Sequence, residues 1–165
     1  MEKLNPQPIV NVANYCGISL LNNGMTVTPL KLQKILYYIQ AWMLVFFKMQ
    51  KIFEEIPEAW VNGPVYPSVY ARFKAIGMYT QLSEKDFNGN MDLSITSEQK
   101  RVLDKLILIY GSKTQDQLVF MTHCEDPWSN ARKDLQPFES SHNPISFEDM
   151  YSYYKNRYDT NRKNR

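Results

Sequence analysis

The segment Thr122-His123-Cys124-Glu125-Asp126-Pro127-Trp128 gathers more reactive side chains than any other part of this chain. His123 has the chemistry of a general base. Cys124 becomes a nucleophile once its thiol ionises, and Glu125 or Asp126 supplies the carboxylate that orients such a pair. Neighbours in sequence rarely converge on one reacting atom, however, so the pair works only if the fold brings the groups into contact. The chain has 2 His in all, which excludes a histidine-rich metal site and leaves only a mixed His123, Cys124 and His142 set with suitable ligand types. The better-founded reading places His123 at a helix end beside a packed Trp128. No catalysis, metal or cofactor is therefore expected.

Other chemistries are weaker still. Gly63, Gly77, Gly89 and Gly111 are scattered, with no phosphate-binding or dinucleotide pattern. Glu54-Glu55 reads as part of a solvated turn. Lys31, Lys34, Tyr37 and Tyr38 mix cations with aromatics, as single-strand binders do, but their helical spacing favours core and interface roles. Nucleic acid is accordingly not expected as a ligand.

The elements that must hold these residues are mostly helices with written starts. A first helix is expected from Ile9 to Leu21, with Val12, Ala13, Cys16, Leu20 and Leu21 inward and a stop at Asn23-Gly24. Thr28-Pro29 then opens a second, running to about Met49, since Thr caps a free amide and Pro suits the first helical position. Leu32, Ile35, Leu36, Ile39, Met43 and Phe46 form its apolar stripe. Lys31, Lys34, Tyr37, Tyr38, Gln40 and Trp42 lie off that stripe, so a second face also asks for cover. Tyr37, Tyr38, Trp42, Trp60, Tyr66 and Tyr70 have the amphipathic bulk that dominates protein contacts. For the tryptophans Trp42, Trp60 and Trp128 the core is the expected place.

Ile52-Phe53 and Glu58-Ala59-Trp60-Val61 read as a small β-ribbon or extended chain, followed by a turn at Asn62-Gly63-Pro64. Pro67 opens a helix with Val69, Tyr70, Phe73 and Ile76 on one face. Residues 79–95 read as a surface loop with room for a short hairpin. Thr96-Ser97-Glu98-Gln99 is a capping box for a helix that Gly111 ends, and Ser112 to Gln115 reads as a second such box. Pro127-Trp128 begins a helical turn, and Ser146 with Asp149 caps a last helix carrying Met150, Tyr151, Tyr154 and Tyr158.

Together these describe a mainly α, compact helical domain over residues 1–154 with a minor β-ribbon or extended segment near Trp60. At 165 residues, 44% hydrophobic and 22% charged, the chain has the size and composition of one globular domain. Net charge is only +2. Its cations crowd the end, where Lys155, Arg157, Arg162, Lys163 and Arg165 face Asp159 alone, so residues 155–165 read as a flexible basic tail. The longest apolar run, Ala41 to Phe47, is far short of the ~20 residues a membrane helix needs. With two cysteines and no leader pattern, a cytoplasmic location is expected.

Three segments resemble one family. Thr28 to Trp42 is similar to its T-x-x-K-L-Q-K-L-L-Y-Y-x-Q-A-W helix. Glu58 to Tyr70 is similar to its E-A-W-x-x-G-P-V-x-P-x-V-Y turn. Leu118, Thr122-His123, Pro127-Trp128 and Ala131-Arg132 are similar to its closing L-x-x-x-T-H…P-W-x-x-A-R. This is the Panacea domain family, the SocA-like or GepA-like phage-associated antitoxins. The resemblance implies an antitoxin that neutralises a cognate protein toxin by direct binding, with no catalytic activity attached to the fold. One relative instead delivers its toxin to a cytosolic protease, which gives the alternative of a proteolytic adaptor. On this reading Lys31, Gln33, Lys34, Tyr37, Tyr38, Gln40, Gly63, Pro64, Tyr66, Tyr70, His123 and Arg132 either dock the partner or shape the scaffold. A homo-oligomer seam is equally open for the aromatic patch. The chain departs from its relatives at Cys124-Glu125-Asp126, where they often place a Gly before the Pro, and it carries no helix-turn-helix block.

Overall fold

The computed structural model describes residues 2–164. Among them are seven helices: α1 (Ile9–Asn22), α2 (Pro29–Phe46), α3 (Pro67–Phe73), α4 (Ser97–Gly111), α5 (Gln115–His123), α6 (Asp126–Ala131) and α7 (Phe147–Lys163). Two short strands, β1 (Glu58–Trp60) and β2 (Gly63–Val65), form an antiparallel hairpin. The fold is mainly α, as the periodicity implies.

α2 is the axis of the molecule. Thr28 Oγ1 accepts from the Lys31 amide at 3.1 Å and Pro29 takes the first turn, so the helix starts where the sequence says it must. Every residue of α2 except Trp42 and Phe46 is buried. Helices α1, α4, α5 and α7 pack around it, and β2 and α3 close the remaining side. The expected stripe is buried from Leu32 to Met43, whereas Phe46 is 37% exposed. The opposite face is covered as well, by this chain's own helices. A helix apolar or clamped on all sides belongs inside a domain.

Local chemistry sets the other boundaries. α1 closes with a Schellman pair, Met25 N–H to Leu20 O and Gly24 N–H to Leu21 O, both 3.0 Å, with Gly24 in the left-handed region at φ 72°. α2 stops at Phe46 and not at Met49: Lys48 (φ 52°) and Met49 (φ 68°) turn left-handed, and Met49 N–H reaches back to Leu44 O at 2.8 Å. Thr96 and Gln99 cap α4 reciprocally. The second box is Thr114 with Gln117. Ser112 instead bonds Ile109 O, and Gln115 accepts from Thr28 Oγ1 at 2.6 Å. Gly111 packs closely, since a Cβ there would stand 2.3 Å from Leu20 Cδ2 and force that side chain to shift.

Elsewhere the tertiary structure departs from the local reading. β1 pairs with β2, the stretch read as a turn, while Val61-Asn62 make the turn and Trp60 faces Gly63. Ile52-Phe53 pair with nothing in the hairpin and are held by α2. α3 ends at Phe73, leaving Ile76 39% exposed. Between residues 79 and 95 there is a 3-10 turn, Glu84–Phe87, and no strand. Residues 155–163, expected as a flexible tail, continue α7 as helix.

Candidate functional site

Four polar side chains of α2 are spent on backbone. Lys31 Nζ donates to Thr26 O (2.9 Å) and Gly111 O (2.8 Å). Gln33 brackets Tyr66, accepting from its N–H at 2.8 Å and donating to its carbonyl at 3.2 Å. Lys34 Nζ donates to Pro64 O at 2.9 Å. Gln40 accepts from Ile52 N–H at 2.9 Å and donates to Phe53 O at 2.6 Å. Lys31 thus fastens the approach to α2 and the end of α4, Gln33 and Lys34 the stretch from Pro64 to Tyr66, and Gln40 the Ile52-Phe53 segment, each supplying partners to buried backbone groups. Burial pushes the Lys34 ammonium down to about 7, since no carboxylate stands beside it. Lys31 is lowered for the same reason.

The hairpin is built on this anchor. Gly63 has φ 106°, and an added Cβ would lie 2.6 Å from Lys34 Cε and 2.8 Å from Thr122 Oγ1. Only glycine allows both the turn and the approach. Arg132, also buried, donates to Ala59 O (2.8 Å), Gln136 O (3.3 Å) and Glu139 O (2.5 Å), fastening β1 to the chain after α6. Its guanidinium lies 5.2 Å from the Trp128 ring centre.

Glu125 proves to be a structural acceptor. It is 4% exposed and takes the Tyr38 hydroxyl, the Tyr154 hydroxyl at 2.9 Å and Arg157 Nη1 at 2.5 Å. The Tyr37 and Tyr154 hydroxyls are 3.2 Å apart, and Tyr38 stacks on Tyr110 with centroids at 4.3 Å. Burial raises the pKa of Tyr37, Tyr38 and Tyr154 and so keeps these phenols neutral, and it lifts that of Tyr110 to about 12. Tyr37 and Tyr38, read as docking anchors, are thus interior groups under α4 and α7. Tyr154 and Arg157 complete the network, and only their i, i+3 spacing on the last helix hinted at a shared face.

The reactive cluster does not assemble. His123 stacks on Trp128 with centroids 4.0 Å apart. Burial and the nearby Lys34 charge lower its pKa, against a backbone hydrogen bond with Val61. Its Nε2 is buried without a partner. Cys124 is exposed at the end of α5. His142 is elsewhere, 2.8 Å from Glu58 Oε1. No metal-binding group of three or more His, Cys, Asp or Glu exists among the described residues.

The tryptophans are half-buried and none is a full core residue. Trp42 donates to the Tyr110 hydroxyl at 2.5 Å and Trp128 to Trp60 O at 2.8 Å. Trp60 packs edge-on to Tyr70 at 4.7 Å and lines a surface cavity of about 280 Å³ with His142 and Tyr70. Tyr70 is the one tyrosine of the sequence-derived site set left partly exposed. A second, apolar hollow of about 420 Å³ lies over Trp42 and Phe46.

The sequence profile of the family described as Antitoxin SocA-like, Panacea domain, matches residues 32–129. The chain belongs to this family. Antitoxin SocA of Caulobacter vibrioides (strain NA1000 / CB15N) is 28% identical over 110 residues, 62% of this chain and 58% of the relative. The chain thus spans 58% of the length of that curated relative. No solved structure matches. In this Panacea domain the matched residues run from the first turns of α2 through most of α6, enclosing Gln33, Lys34, Gln40, Gly63 and Glu125. α1 and α7 lie outside the match. No helix among the described residues is long and apolar enough to cross a membrane.

Proposed function

We propose that this chain neutralises a protein toxin by binding it directly, as a stoichiometric mask and without turnover. The observation that carries this reading is membership of the SocA-like antitoxin family. The geometry supports it. Lys31, Gln33, Lys34, Gln40 and Arg132 are occupied with backbone, and no hydrogen bond joins His123 to Cys124 among the described residues. What the surface offers a partner is aromatic and apolar area at its two hollows, the kind of surface that carries binding energy. The toxin is expected from a neighbouring gene, and the pair to meet in the cytoplasm, where the unpaired Cys16 and Cys124 would stay reduced.

The test is co-expression in a neutral bacterial host. Induction of either neighbouring reading frame alone should arrest growth, and this chain should restore it while co-purifying with the toxin. Rescue accompanied by rapid loss of the toxin, with no complex recovered, would point to delivery to a protease instead. Absence of toxicity from both neighbours would remove the proposal.

A further inference from the structure

Between α4 and α7, both packed on α2, the surface opens into the apolar groove of about 420 Å³. Trp42 and Phe46 come from α2, Ile109 and Tyr110 from α4, and Tyr158 from α7. Its polar atoms are largely spoken for, because the Trp42 N–H is given to the Tyr110 hydroxyl. Phe46 is wedged between Trp42 (5.7 Å) and Tyr158 (5.4 Å), and Ile109 is 54% exposed. Rings held in this way present area to a partner with little rotamer entropy left to lose.

The rim is cationic. Lys105 lines the groove, and the Arg162 guanidinium sits 5.6 Å from the Tyr158 ring centre. Arg101 lies one turn before Lys105 on α4. None of these three has a carboxylate within ion-pair distance among the described residues. The nearby acids are committed elsewhere: Asp104 to Lys100 (3.2 Å) and the Tyr15 hydroxyl (2.5 Å), Asp159 to Lys155 (2.6 Å). Glu98, Glu148 and Asp149 sit in first turns, where the helix amides offset their charge.

We infer that this groove receives an acidic, amphipathic segment of the toxin. Its apolar side chains lie on Trp42, Phe46 and Ile109, and its carboxylates meet Lys105, Arg101 and Arg162. The inference rests on the direct-binding reading above. A second copy of this chain fits poorly, because a two-fold contact would set these unpaired cations against one another.

The test compares wild type with Ile109→Asp and with the double variant Lys105→Glu/Arg162→Glu, using the product of the neighbouring reading frame as the probe. All three positions are exposed, so thermal midpoints should match the wild type. Ile109→Asp should weaken toxin binding roughly 30-fold. The charge variant should weaken it on the order of 10-fold, more at low salt, and abolish growth rescue at limiting expression. Variants that bind and rescue like wild type, in a strain wild type does rescue, overturn the groove and leave the antitoxin reading standing. A wild type that neither binds nor rescues overturns both. Weakening by Ile109→Asp alone overturns the acidic partner. A dimer that the variants split while toxin binding is intact assigns the groove to a second copy and overturns the inference.

Discussion

Gln33 holds both backbone groups of Tyr66, its side-chain oxygen on the N–H and its amide on the carbonyl. One carboxamide thereby replaces a missing rung of secondary structure at the junction of β2 and α3, where burial is complete. Gln33→Leu leaves the Tyr66 N–H without a partner, while its carbonyl still accepts from the Val69 and Tyr70 amides. Urea unfolding should show a loss of about 1–3 kcal/mol. A midpoint equal to wild type would mean that the junction finds other partners.

Gly63→Ala is expected to be damaging for a different reason. The methyl must enter the space of Lys34 Cε and Thr122 Oγ1, at a φ of 106° that disfavours any side chain. The expected cost is about 2–4 kcal/mol, read from the thermal midpoint. Asn62→Ala, at the exposed turn beside it, serves as the near-neutral control.

Lys34 makes stability depend on pH with a definite sign. Its folded pKa is about 7, against about 10.5 in the unfolded chain. Between these values the unfolded state holds the extra proton, so raising the pH favours the fold; below pH 7 both states are protonated and the full cost of the buried charge is present. The stability of wild type relative to Lys34→Met should therefore climb from pH 7 to 9, by on the order of 1 kcal/mol per pH unit. A flat difference between the two proteins would refute this.

The end of α7 should matter to the fold. Ending the chain at Tyr154 deletes Arg157, the cationic partner of buried Glu125 at 2.5 Å. It also removes Tyr158 from its edge-on contact with Phe46. A loss of about 2–4 kcal/mol is expected, where a solvated tail would cost nothing. Circular dichroism melts of the two lengths decide it.

Trp60 should prove less costly to remove than a core tryptophan. Its ring is only partly buried at the rim of a cavity, and its N–H goes to Glu58 two residues away. Trp60→Ala should cost about 1–2 kcal/mol, below the roughly 3–5 typical of a buried aromatic. A larger loss in the melt would place the ring in the core after all.

The sequence by itself determined where α2, α4 and α7 begin. Thr28-Pro29, Thr96 with Gln99 and Ser146 act within one turn, and their partners are three residues away. It also determined that α2 has two faces to cover, because its non-stripe residues are as bulky as its stripe. Family membership was legible too, in three motifs whose order and spacing survive along the chain. Only the tertiary structure decided what covers the second face. α4 and α7 enclose Tyr37 and Tyr38 around Glu125, a contact between residues up to 117 positions apart. Nor could the sequence say what Lys31, Gln33, Lys34, Gln40 and Arg132 hold, since their partners are backbone carbonyls and amides. Every residue offers those same groups, so no side-chain pattern records which of them a buried lysine, glutamine or arginine will meet.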